Sequence, residues 1–145
     1  MRCFIASDHA GYEMKEFARE FLKKLDVEVT DLGPTSKDRV DYPDYALALC
    51  SEINTHPGYF GVLICGTGIG MSMAANKCDG IRAALATDAY TAAMGRAHND
   101  ANVLCFGARV VGLGVAESIM SAWVAAKFEG GRHAQRVEKI DNIKG

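Results

Sequence analysis

The sequence predicts an α/β chain: a parallel sheet of five strands with helices on both faces, closed by one extra C-terminal helix. Two observations carry this. Short apolar runs alternate with longer stretches whose apolar residues recur every three or four positions, giving β-α-β-α-β-α-β-α-β-α and then a last α. The run YFGVLIC at 59–65 is also nearly continuous in apolar residues, as expected of a strand buried on both faces. The 145 residues suit a single domain, 1–145, long enough to bury a core without staples.

The elements follow in order. Residues 2–6, RCFIA, read as a strand that runs into the turn SDHAG. Met14, Phe17, Ala18, Phe21, Leu22 and Leu25 then mark the apolar stripe of a helix. Val27-Glu28-Val29 begins a second strand, and Asp31-Leu32-Gly33-Pro34 stops it. A polar loop fills 33–41. Pro43 sits in the first turn of the next helix, where its missing N–H is harmless, and that helix runs to about Ile53. After the 59–65 strand and the turn GTGIG come a small-residue helix (68–77), a strand (81–86), a helix (88–98), a strand (103–106), a long helix (112–128) with the only Trp, and a last helix (133–143).

Composition excludes several function classes. An apolar fraction of 49% with 23% charged residues is a globular balance and not that of a disordered chain. Sixteen Lys and Arg against 18 Asp and Glu leave a net charge of −2, so no global basic field exists to hold a nucleic-acid backbone. Gly and polar residues break every apolar run before it reaches membrane-spanning length. The N-terminal MRCFIASDHAG lacks the apolar core of a signal peptide. Cysteines at 3, 50, 65, 78 and 105 are odd in number and widely spaced, which fits reduced thiols in the cytoplasm. His9, His56, His98 and His133 form no HExxH motif or close pair, so no metal and no cofactor is expected. His56, in a His-Pro-Gly turn, reads as a solvent-exposed residue.

In a parallel sheet, ligands bind beyond the carboxyl ends of the strands. Asp8 and His9 follow the first strand, and Cys65 with Gly66, Thr67, Gly68, Ile69 and Gly70 ends the third. Thr87 and Asp88 follow the fourth, and Gly107-Ala108-Arg109 the fifth. Asp88 reads as a helix N-cap. Three alternate glycines let the backbone turn tightly and aim N–H groups at an anion on a helix N-terminus. A dinucleotide fingerprint requires its third glycine at 71, which is Met, and no Gly-Lys-Ser/Thr follows for a phosphate-binding P-loop. A turn used only for packing stays open. Cys65 precedes a helix N-terminus, where thiolate is favoured, which makes it a candidate base or nucleophile. Arg132 and Arg136 share a helix face if that helix begins by 132, and two guanidiniums there can clamp a phosphate. A solvated basic helix end is the alternative.

At this point the residues match a family. Asp8-His9-Ala10-Gly11, Asp41-Tyr42-Pro43, ICGTGIG from Ile64 to Gly70, Ala75-Asn76-Lys77, Gly80-Ile81-Arg82-Ala83, His98-Asn99-Asp100, Phe106 to Gly112 and Glu129-Gly130-Gly131-Arg132-His133 occur in order. The chain resembles the ribose-5-phosphate isomerase B family, which also holds galactose-6-phosphate and allose-6-phosphate isomerases. The resemblance runs from residue 4 to about residue 140. It implies a Rossmann-like three-layer sandwich, a homodimer with active sites at the subunit interface (or a higher oligomer), and metal-free aldose–ketose isomerisation of ribose 5-phosphate and ribulose 5-phosphate. It implies no nucleic acid and no membrane.

The family uses either a Cys or a Glu elsewhere in the site as its base, and this chain has Cys65 at the Cys position. Carried over, Cys65 is the base and His98 the ring-opening acid. Asp8, His9, the backbone of Gly66, Gly68, Ile69 and Gly70, Asn99, Arg109, Arg132 and Arg136 bind substrate, with Thr67 and Tyr42 as supporting contacts. The residue types suit the chemistry. A His near neutral pKa protonates a ring oxygen. A base takes the proton beside the carbonyl, preorganised amides hold the resulting enediolate, and the unreacted phosphate positions the rest. A hexose-6-phosphate isomerase and a non-catalytic phosphosugar-binding module are the competing expectations.

Overall fold

A computed structural model of the chain describes residues 1–143. Five strands form one parallel sheet: β1 (Arg2–Ser7), β2 (Glu28–Asp31), β3 (Phe60–Cys65), β4 (Ala83–Leu85) and β5 (Val103–Gly107). The six helices are α1 (Tyr12–Lys24), α2 (Tyr42–Thr55), α3 (Ile69–Asn76), α4 (Ala89–Ala97), α5 (Leu113–Ala125) and α6 (Arg132–Asp141). Spatial order in the sheet is β2-β1-β3-β5-β4. The α/β class, the parallel sheet and the extra C-terminal helix are as expected. The order itself is not legible in a linear pattern.

Alternation along each strand builds two cores. Cys3 and Ile5 of β1, Val62 and Ile64 of β3, and Leu104 and Phe106 of β5 face α1, α4 and α5, with Leu22, Ile119, Met120 and Trp123 filling that layer. Phe4, Leu63, Cys65, Val103 and Cys105 face α2 and α3, where Leu49, Ile53, Met71 and Ala75 meet them. All six residues of β3 are buried, which accounts for its nearly unbroken apolar run. The first crossover leaves β1 toward one edge and the second returns to β1's other side, so the crevice opens at the carboxyl ends of β1 and β3.

Element limits differ from expectation in places. The fourth strand keeps only Ala83–Leu85 of the expected 81–86, because the Arg82 N–H donates to the Asn102 side chain and ordinary ladder pairing begins one residue later. The fifth helix stops at Ala125, and 126–131 run on as an irregular connection containing Gly130 and Gly131 with φ of +67° and +55°. The sixth then begins at Arg132. The Asn76 side chain of α3 reaches the free edge of β4, accepting from the Ala83 N–H at 2.8 Å and donating to its carbonyl at 3.0 Å. No helix is long and apolar enough to cross a membrane among the described residues.

Candidate active site

Cys65 is the last residue of β3, and GTGIG carries the chain from it into α3. Gly68 adopts φ +79°, and a side chain there would also strike Leu85 and the Phe106 backbone. That conformation brings the Gly68 N–H to 3.1 Å from Cys65 Sγ, to which it donates. The Ile69 N–H donates to Thr67 Oγ1 at 3.1 Å. The Thr67 and Gly70 amides find no acceptor among the described residues, so these two N–H groups are available to a ligand beside the sulfur. The Tyr42 ring packs over Gly70, where a Cβ would lie 2.5 Å from it.

The rest of this rim comes from neighbouring strands. The Asp8 N–H donates to the Ile64 carbonyl, and its Oδ1 accepts from the Gly11 N–H at 3.0 Å. His9 Nδ1 accepts from the Val40 N–H at 3.3 Å, which leaves Nε2 as the donor of a neutral ring. Arg109 follows β5 with its guanidinium alongside Gly66, Nη1 being 3.3 Å from where a Cβ would stand. A groove of about 460 Å³ between α1 and the 108–113 segment borders Arg109 without reaching Cys65. Ile69 and Met73 of α3, Leu85, Tyr90 of α4, Val110 and Leu113 are exposed apolar side chains on this side of the sheet.

His98, Asn99, Arg132 and Arg136 lie elsewhere. Helix α4 runs back from the carboxyl edge of the sheet, so its C-cap His98 sits by the amino edge. The Asn102 carbonyl there accepts from the Gly61 N–H, at the start of β3. Cys65 pairs with Gly107, four residues along β5 from Val103, which is about 13 Å of strand at ~3.3 Å per residue. Arg82 fastens this second cluster, donating to the Asn99 and Asp100 carbonyls and, from Nη1 alone, to both carboxylate oxygens of Asp141 at 2.8 and 2.9 Å. The Glu129 N–H donates to the Ala97 carbonyl. The His133 and His98 rings stack at 4.1 Å and 12°, and Glu129 Oε1 lies 3.5 Å from His133 Nε2 and 3.7 Å from His98 Nε2. Because α6 begins at Arg132, Arg132 and Arg136 do share a face.

Thus Asp8, His9, Tyr42, Cys65, the glycine turn and Arg109 come together in one chain, and His98, Asn99, Arg132 and Arg136 come together at its opposite edge. Arg109, Arg132 and Arg136 have no carboxylate partner among the described residues, unlike Arg2, Arg19, Arg82 and Arg96. Unpaired guanidiniums are what a phosphate needs. Asp88 is the N-cap of α4, accepting from the Thr91 N–H at 2.7 Å, and this bond holds its carboxyl below the usual range.

Some expectations need correction. His56 is half-buried, wedged edge-on to Phe4 and against Tyr59 with both ring centroids 5.1 Å away, because the cap of α2 folds it onto β1. Histidines 98 and 133, distant in sequence, do form a close pair. Sequence reasoning does not single out Arg82, Glu129 or His133, which join this second cluster only through the fold. The one available signal was the four-residue spacing of Glu129 and His133 beside Arg132. Burial pushes the His133 imidazole below its ordinary pKa, helped by His98, Arg132 and Arg136 and opposed by Glu129.

Residues 3–140 match the family model described as Ribose/Galactose Isomerase. The chain is 48% identical over 137 residues to the Escherichia coli protein named ribose-5-phosphate isomerase B, covering 94% of this chain and 92% of that one. Clostridium thermocellum ribose-5-phosphate isomerase B superimposes with a TM-score of 0.94 at 49% identity, over 97% of this chain and 95% of that one. The Mycoplasma genitalium ribose-5-phosphate isomerase B, solved with bound ribulose 5-phosphate, does so with 0.91 at 43% identity, over 97% and 93%.

Proposed function

This chain belongs to the ribose/galactose isomerase family, and on that premise we propose that it interconverts ribose 5-phosphate and ribulose 5-phosphate with Cys65 as the carbon base. The observation that carries the reading is the sulfur at the strand end, held by one amide of a glycine turn whose Thr67 and Gly70 amides are unspent. Base and oxyanion donors thereby lie on neighbouring residues. Cys65 Sγ takes the C2 proton of the open-chain aldose, and the released electron pair puts negative charge on the carbonyl oxygen. The free amides stabilise that charge. A hydroxyl proton moves from O2 to O1, the thiol returns its proton to C1, and the ketose results. No covalent sugar–enzyme bond is formed.

The remaining roles require a second copy. His98 protonates the ring oxygen during opening, Asn99 holds sugar hydroxyls, and Arg132 and Arg136 hold the phosphate together with His9 Nε2–H. Asp8, Tyr42, Thr67 and Arg109 shape the sugar pocket. Because His98 and the two arginines stand at the far edge of their own sheet, a homodimer that sets one chain's amino edge over the other's carboxyl rim completes each site. The exposed apolar rim of Ile69, Met73, Leu85 and Tyr90 favours such packing. Five free thiols suit a reducing cytoplasm.

The test is isomerisation followed by NMR with chelator-treated enzyme, comparing ribose 5-phosphate with galactose 6-phosphate and allose 6-phosphate. Turnover of the pentose above both hexoses is expected. Preference for a hexose phosphate overturns the substrate, and no turnover on any of the three overturns the enzyme.

A further inference from the structure

We propose that His98, Glu129 and His133 form a binding site for a borderline divalent cation of the zinc type, and that occupancy of this site blocks ring opening. The three ligand atoms lie within 4.8 Å of one another. Both imidazoles present Nε2 to the same carboxylate oxygen, at 3.5 and 3.7 Å. A second observation points to a ligand. His133 is only 7% exposed, and its Nε2 is buried with no hydrogen-bond partner among the described residues. A buried polar atom left this way is costly, and a ligand that engages it is favoured by the amount recovered.

The backbone holds the three residues in place. The Glu129 N–H bond to the Ala97 carbonyl fixes Glu129 beside His98. Gly130 and Gly131, both at positive φ, fold the chain so that Glu129 returns over His133, four residues on. His133 is the immobile ligand. His98 and Glu129 are partly exposed, and binding requires His98 to turn out of its parallel stack on His133 so that both Nε2 lone pairs and the carboxylate meet one ion at the ~2.0–2.2 Å of a zinc bond. Two imidazole nitrogens and one carboxylate oxygen select zinc-like ions over magnesium, which prefers oxygen donors. Arg132 and Arg136 nearby oppose a cation, so micromolar rather than tighter binding is expected.

Binding rests on the geometry alone. Inhibition also rests on His98 being the ring-opening acid, since a metal on Nε2 removes its proton-donating nitrogen. Loss of even an outer partner costs about 10–100-fold in metal affinity, and loss of a ligand costs at least as much. The experiment titrates chelator-stripped protein with Zn2+ by calorimetry and with Co2+ by absorption, for the wild type, Glu129→Gln and His133→Phe, with Mg2+ as control. One ion per chain is expected, with no thiolate-to-cobalt charge-transfer band and binding at least about tenfold weaker in both variants. Wild-type isomerisation should be inhibited by Zn2+ and restored by chelator. Measured against its own uninhibited rate, Glu129→Gln should need at least about tenfold more Zn2+ for the same fractional inhibition. Absence of binding, a thiolate band, or unchanged affinity in Glu129→Gln overturns the site. Binding without inhibition overturns the block on ring opening while leaving the isomerase reading intact. A protein inactive on every sugar phosphate still reports binding by calorimetry.

Discussion

Cys65 shares its chemistry with four other thiols and differs from them in surroundings. Burial pushes Cys3 up to about 12, and burial with the neighbouring Cys78 does the same to Cys50. Cys105 is pushed up further, by burial and by Cys65 and Cys50. Those thiols stay protonated and inert, while Cys65 receives a backbone N–H and borders a turn with free amides. Cys65→Ala is expected to lose about 10²–10⁴-fold in turnover while retaining substrate affinity. Solvent-isotope exchange at C2 of ribose 5-phosphate checks this, and exchange at the wild-type rate places the base elsewhere. His133 gives a second prediction. Its depressed pKa means that the unfolded chain binds a proton more readily than the folded one as pH falls through about 6.5. Stability should therefore fall as pH drops below about 6.5, and His133→Phe should flatten that part of the profile in urea-melt series. At this scale the sequence was informative about Cys65, because a buried strand ending on a glycine turn is a local pattern. It was silent on the meeting of His98, Glu129 and His133, because a contact between α4 and α6 leaves no linear periodicity.

Among elements, α1 shows what periodicity can miss. Lys15 lies in the stripe of Ala18 and Leu22 and is fully buried, its Nζ 2.7 Å from Asp31 and 3.0 Å from Glu16 and over the Tyr12 ring. The pair ties α1 to β2. Lys15→Met should cost about 2–3 kcal/mol in urea unfolding, less than breaking a fully dry pair, because Arg19 remains 3.4 Å from Asp31. Asp88→Ala should lower the urea midpoint through loss of the α4 cap. Helix positions were readable from apolar spacing and from Pro43. Element ends were not, since they depend on tertiary bonds such as that from Arg82 to Asn102.

For the whole molecule, the strand order decides which residues can meet. The alternating pattern specified a parallel sheet, and the topology that sends the Cys65 and His98 groups to opposite edges emerges only in three dimensions. Complementation between inactive variants tests the two-chain site. Cys65→Ala and His98→Asn are each expected to be inactive alone. Mixed under conditions of subunit exchange, they should recover about a quarter of wild-type activity, because half the dimers are mixed and one of the two sites in each is intact. No recovery, with exchange verified by mass spectrometry, places Cys65 and His98 of one site on the same chain.

The Asn76 amide that engages Ala83 has a consequence for growth in numbers. Strand β4 is the outer margin of the sheet and only three residues long, and a passing extended segment could add there as a sixth strand, then a seventh. Asn76 already occupies the N–H and carbonyl of Ala83, so it stands in for that intruder and terminates the series. Backbone zippering, which propagates without limit into fibrils, is thereby closed off at Ala83, and any association between copies is left to side-chain surfaces, which can close on themselves.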